Sequence, residues 1–156
     1  MFTGIQVMDS RIFDYIPPGV FSHSTVDVFP KAIAKGERIA AHVAEGSWFE
    51  LSTLQRYLDI SLALLNQRGL SVYSGSGASL ARGADVSESI LWDDVIVEKG
   101  ARVRRAILGD GVRVRAGEEV EDAAVVRAEL VTGLRPPAKA HKGYVKGDSF
   151  VVPLSQ

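Results

Sequence analysis

Broken every 17 positions, residues 80–130 read LARGADVSESILWDDVI (80–96), VEKGARVRRAILGDGVR (97–113) and VRAGEEVEDAAVVRAEL (114–130). Gly83, Gly100 and Gly117 align, as do Val86, Val103 and Val120, and Leu91, Leu108 and Val125. The aliphatic markers fall at 80, 86, 91, 97, 103, 108, 114, 120 and 125, recurring in steps of six, five and six. A helix would need a period of about 3.6 residues, which is absent. The rhythm instead predicts three short strands per turn of a triangular parallel coil. Each side sends an aliphatic residue inward, and the glycines ease the corners.

The charges obey the same offset. It sets Asp85 beside Arg102 and Arg102 beside Glu119, Glu88 beside Arg105 and Arg105 beside Asp122, Glu98 beside Arg115, and Arg104 beside Glu121. Every pair is of opposite sign. Coils about 4.8 Å apart make such residues lateral neighbours, each pair worth roughly 0.2–1 kcal/mol. The arginines at 102–115 are thereby neutralised, and no nucleic-acid patch is expected.

Totals set wider bounds. The chain of 156 residues is 46% hydrophobic with a formal net charge of −1, the composition of a globular protein without a polyanionic partner. It has no cysteine, which removes disulfides and thiolate chemistry and makes a reducing cytoplasm the expected setting. Neither a signal segment nor a run of roughly 18 apolar residues is present, so no membrane partner is expected.

Residues 1–68 change character every dozen positions, as mixed α/β structure does. Phe2–Met8 and Arg38–Val43 are strand candidates. Asp9 or Ser10 would cap a helix over Arg11–Ile16 that Pro17-Pro18 stops. Thr25–Ala34 reads as a helix disturbed by Pro30 and ended by Gly36. In SWFELSTLQRYL (47–58), Ser52-Thr53-Leu54-Gln55 fits a Ser-x-x-Gln capping box. Leu54, Tyr57, Leu58, Leu62 and Leu65 then keep helical spacing up to Gly69. Glu50 stands just before this helix, where a carboxylate suits the positive helix end.

A step of 17 built from aliphatic-led hexapeptides resembles the left-handed parallel β-helix of hexapeptide-repeat proteins over about residues 72–131. Before it, FTGIQVMDSRIFDYIP (2–17), DVFPKAIAKGERIAAHV (27–43) and GSWFELSTLQRYLDISLALL (46–65) resemble, in that order, the C-terminal part of the catalytic domain of sugar-phosphate nucleotidyltransferases. The likeness is to the mannose-1-phosphate guanylyltransferase-like group that carries a β-helical tail. The fold implied is an incomplete α/β, Rossmann-like sheet over residues 1–68, followed by the β-helix with its tail over residues 69–156. The reaction implied joins NTP and sugar 1-phosphate into NDP-sugar and pyrophosphate, with Mg²⁺ as cofactor.

The resemblance also implies site residues. Thr3 and Gly4 would line the sugar-phosphate pocket, although Gly4 equally suits a close backbone approach inside a sheet. The family's Trp-x-Asp-x-Gly-Thr motif reads here Trp48-Phe49-Glu50-Leu51-Ser52-Thr53, which makes Glu50 the candidate metal ligand, with Glu for Asp and Ser52 for glycine. Glu50 serving only the helix start remains the alternative. The family's glycine-rich loop ending in Thr-Arg, and the lysine and aspartate after it, have no counterpart. Gly75-Ser76-Gly77-Ala78 precedes the coils and reads as a linker or corner. The chain thus reads as the back half of an enzyme, inactive until a missing N-terminal half completes it.

Two other functions compete. The coils could form a non-catalytic assembly or regulatory module, a homo-oligomer in which Leu130–Leu134 and the tail GYVKGDSFVVPL cap the last coil or pair across an interface. Acyl transfer would need a histidine base, and His23, His42 and His141 all lie outside residues 80–130. Trp92 reads as a packing or interface aromatic at a coil corner, Trp48 as packing under the pocket floor, and Pro136-Pro137 with Lys139 and Lys142 as an exposed turn.

Overall fold

The structure, a computed structural model, describes residues 2–135 and 140–154. The expected turn at Pro136, Pro137 and Lys139 falls outside them. Two compact units are present, Met1–Trp48 and Phe49–Gln156.

The second unit is a three-sided parallel β-helix. One face stacks β1 (Val72–Ser74), β4 (Ser89–Leu91), the second part of β6 (Arg102–Leu108) and the second part of β8 (Glu119–Arg127). Another stacks β2 (Ser79–Leu80), β5 (Ile96–Val97) and β7 (Arg113–Val114). The third stacks β3 (Asp85–Ser87) on the first parts of β6 and β8. Each of these parallel registers, from Val72↔Ser89 to Leu108↔Val125, joins residues 17 apart. The interior holds Leu91, Val95, Val97, Ala101, Val103, Ala106, Leu108, Val112, Val114 and Val125, all buried. Val86 and Val120 are partly buried against it. Leu80, expected inward, is 46% exposed, because it lies in the first coil, where no preceding rung covers β2.

The corners repeat with the same period. Left-handed backbone occurs at Gly83, Gly100 and Gly117, at Gly77, Asp94 and Gly111, and at Glu88, Arg105 and Asp122. Glycine was expected to ease the corners, and the third corner does without it. Its residues, at φ of 46° to 48°, hold strained conformations within a charge ladder. Arg105 pairs with Asp122 at 2.9 Å and with Asp59 at 3.4 Å. Ser89, next to this corner, is fully buried and satisfied: its Oγ donates to the Ser87 carbonyl and accepts from the Ala106 N–H.

Several expected charge pairs form and some shift. Arg102–Glu119 (2.9 Å) and Arg104–Glu121 (3.7 Å) follow the ladder. Glu88 turns to Arg104, Glu98 to Arg113, and Arg115 to Asp148. Long side chains at the surface reach a diagonal neighbour as readily as a lateral one. The tail caps the last coil: β10 (Ser149–Pro153) runs antiparallel to β8, and β9 (Tyr144–Lys146) pairs with β10 as the sheet edge.

Helix α2 (Leu54–Asn66) lies against the first face. Leu58, Leu62 and Leu65 cover Ile90, Ile107 and Ala124, the outward row between the core-facing residues. Burying such leucines is worth about 1.5–3 kcal/mol each. The sequence grouped this helix with the segment before it; the helix packs with the coils.

In the first unit the strands expected at Phe2–Met8 and Arg38–Val43 do not form, and no described residue before Val72 is in a strand. The α/β sheet fragment is therefore absent from this structure. An isolated pair of strands is marginal without further strands or a covering layer. What does form is local: a 3₁₀ helix over Ser10–Tyr15 capped by Asp9, a π turn over Ser24–Val28, and α1 (Phe29–Ala34) with Pro30 in its first turn. Glu37 ties these together, accepting from the Arg11 guanidinium at 3.1 and 3.2 Å and from the Tyr15 hydroxyl at 3.2 Å. Val28 and Ala32 are the buried apolar residues of this unit, while Phe2, Ile5, Val7, Phe13, Phe21 and Val43 are exposed.

Two tests follow from the corners and the end of the β-helix. At Gly100 an added Cβ would meet nothing closer than 3.9 Å, so Gly100→Ala is expected to lose about 1–2 kcal/mol through backbone strain alone. Glu88→Gly, which relieves strain while losing an exposed ion pair, should stay within about 0.5 kcal/mol of the parent in urea unfolding. Equal losses would contradict this account of the corners.

The hydrogen bond from Arg113, then that from the Ala116 N–H, hold the Glu98 carboxyl below its ordinary value. Burial pushes Glu118 up, but bonds from Lys146 and the Arg115 N–H outweigh it and hold it low as well. Folded-state values below the ordinary 4.5 stabilise the fold above that pH, and the contribution is lost as pH falls through the lowered values. Melting temperature should therefore drop as pH falls below that value, and less steeply in Glu98→Gln and Glu118→Gln.

Candidate functional site

Thr3 and Gly4 form a turn. The Thr3 Oγ1 accepts from the Ile5 N–H at 3.4 Å, and Gly4 adopts φ +79° with open space where a Cβ would stand. Gly4 is thus needed for its left-handed backbone, and the close approach inside a sheet is not what it serves. Both belong to the first unit, whereas Glu50 belongs to the second.

Glu50 sits where a helix entry would use it. Its Oε2 accepts from Arg56 Nη1 at 2.7 Å, and the same guanidinium nitrogen donates to Ser52 Oγ at 3.1 Å. The cap itself is Thr53, whose Oγ1 accepts from the Arg56 N–H at 3.1 Å. The capping box expected at Ser52–Gln55 is therefore displaced by one residue, and Gln55 instead donates to Asp59.

Mg²⁺ takes hard oxygen ligands, usually one or two carboxylates together with substrate phosphates. Glu50 is 61% exposed and already paired with a cation, and among the described residues no three His, Asp or Glu side chains gather. These residues do not by themselves fit that ion.

A second locus comes from tertiary structure. Between α2 and the first face of the β-helix opens a cleft of about 570 Å³, lined by Tyr57, Ser61, Leu64, Leu65 and Arg68 on one side and Tyr73, Ile90, Trp92, Asp93 and Asp110 on the other. Trp92 meets Tyr57 edge to face with centroids 6.5 Å apart, and its Nε1–H donates to Tyr57 Oη at 3.2 Å. Trp92 is therefore a packing aromatic that also faces the cleft. Asp93 Oδ1 accepts from the Ser76 N–H at 2.7 Å, and Asp110 Oδ1 accepts from the Asp93 N–H at 3.1 Å. Gly75-Ser76-Gly77 is thus a corner of the first coil, held by the second. A Cβ at Gly75 would lie 2.4 Å from Asp93 Oδ1, and one at Gly77 would lie 2.1 Å from Asp94 Oδ1.

Residues 68–132 match the family model described as GlmU-like, C-terminal hexapeptide. The coils are hexapeptide repeats. No curated protein sequence matches the chain. Beside this region, no helix of the described residues is long and apolar enough to cross a membrane.

The cleft went unread in the sequence, although its signals were present. Tyr57, Ser61, Leu65 and Arg68 recur at helical spacing, and Asp93 and Asp110 recur at 17. Only the docking of α2 brings the two sets together. Trp48 is 42% exposed, in the first unit. The rings of His23 and Phe21 meet edge to face, and His42 and His141 are exposed.

Thr53→Ala should cost about 1 kcal/mol, whereas Ser52→Ala should cost a few tenths at most. Chemical denaturation of the two variants measures this, and the reverse order would return the cap to Ser52.

Proposed function

We propose that this chain is the C-terminal part of a sugar-1-phosphate nucleotidyltransferase, inactive until a nucleotide-binding segment completes it. What supports the reading is the first unit. Its apolar side chains Phe2, Ile5, Val7 and Val43 stand exposed on segments without regular structure, and the buried Gln6 Oε1 has no donor among the described residues. Such a surface is what a sheet lacking its other strands would leave. The hexapeptide coils agree with the β-helical tail of that group.

The reaction itself asks mainly for positioning. A phosphate oxygen of the sugar attacks the α-phosphorus of the NTP in line, the bond to the β,γ-phosphates breaks, and pyrophosphate leaves. No covalent nucleophile is required. In this reading Thr3 and Gly4 line the sugar-phosphate pocket. Ligands for the divalent ion come from the completing segment, because Glu50 is committed to Arg56. The purified chain should form no NDP-sugar or pyrophosphate from any NTP with mannose 1-phosphate or glucose 1-phosphate. Co-expression with a segment carrying the glycine-rich Thr-Arg loop should restore synthesis. Turnover by the chain alone, or a co-purified pair without turnover, would overturn the proposal.

A second reading, an assembly module without chemistry, is favoured by one feature. Strand β9 is an open sheet edge carrying the exposed Tyr144 and Val145, suited to pairing with a second copy. Sedimentation at micromolar concentration should then report a dimer or larger species, and a strict monomer removes this reading.

A further inference from the structure

The cleft between α2 and the first face has the size of a small-molecule site, roughly 300–1,000 Å³ being usual. Its chemistry selects among ligands. Trp92 and Tyr73 are each about half exposed, at 44% and 50%, and line the cleft beside the apolar Ile90 and Leu65. Asp93 and Asp110 each commit Oδ1 to a backbone N–H, which leaves the second oxygen of each as an acceptor. They stand on adjacent coils, roughly 4.8 Å apart. Arg68 has no ion-pair partner among the described residues and contributes a fork of donors. Tyr57 Oη, already accepting from Trp92, keeps its own proton to donate.

An anion is disfavoured by two carboxylates, and an apolar body would strip water from all three charged groups without replacing its hydrogen bonds. A ring bearing several hydroxyls, each both donor and acceptor, satisfies carboxylates and guanidinium together, while its C–H faces rest on the aromatic rings. We infer that this cleft binds a sugar ring, with Asp93 and Asp110 accepting from its hydroxyls, Arg68 donating to them, and Trp92 and Tyr73 supplying the stacking surface. The inference does not rest on the nucleotidyltransferase reading, since every residue in it belongs to the second unit.

The test uses the whole chain with Trp48→Phe, so that tryptophan emission reports Trp92 alone. Methyl α-mannoside, methyl α-glucoside and N-acetylglucosamine are titrated separately, with inorganic phosphate as the anion control. At least one sugar should shift the emission saturably. Arg68→Ala and Asp110→Asn, whose side chains are at the surface, should each weaken that response about tenfold with an unchanged thermal melt. Amide spectra should show the shifts confined to residues 57–68 and to Tyr73, Trp92, Asp93 and Asp110. If one variant melts early, the other and the amide map decide. A response that does not saturate, one that neither substitution weakens, or one that phosphate reproduces would overturn the inference.

Discussion

The parallel rungs of the β-helix depend on one constraint: the backbone of each coil bonds to the coil 17 residues onward, face after face. Parallel pairing at that offset stacks like on like. Leu91, Leu108 and Val125 form one inner column, and Glu88, Arg105 and Asp122 one outer column of alternating sign. The corners inherit the same rule, because a coil that turns by left-handed backbone obliges the next to turn at the same place. Glycine meets that demand without cost at Gly83, Gly100 and Gly117, while the charged corner tolerates strain where Arg105 is held by both Asp122 and Asp59.

Stacking also explains why a helix belongs to the coils. Ile90, Ile107 and Ala124 point outward on one face in a row of apolar side chains, which in water would be an exposed patch. The leucines of α2 cover it, and Arg105 reaching Asp59 ties the helix to the charged corner. Because the helix covers only part of the face, Trp92, Tyr73 and the two aspartates are left open beside Arg68. The cleft is a consequence of incomplete cover.

The first unit behaves oppositely. Its helical turns form because Asp9 caps one and Pro30 starts another, interactions within a few residues of chain. Its strands do not form, because a strand needs a partner and no described residue offers one. Thr3 and Gly4 fold into a local turn instead, and Val7 is fully exposed. This is why the short helices were legible nearly to the residue while the expected strands do not form among the described residues. Propensity describes a segment, whereas a sheet is a property of segments distant in sequence. The helix cap shows the same division on a smaller scale: helix α2 was evident from its leucines, but whether Ser52 or Thr53 caps it depended on where Arg56 went.

By itself, the sequence determined the β-helix. Its period, its inward residues and half of its charge ladder follow from a repeat visible in a single line of text, since every coil contacts mainly the next one and contact therefore maps onto sequence offset. Only tertiary structure decided where α2 docks, which diagonal partner each arginine takes, and that Tyr57, Arg68, Trp92, Asp93 and Asp110 share a cleft. Those contacts join elements whose separation no period encodes, and they are settled by which apolar row was left uncovered.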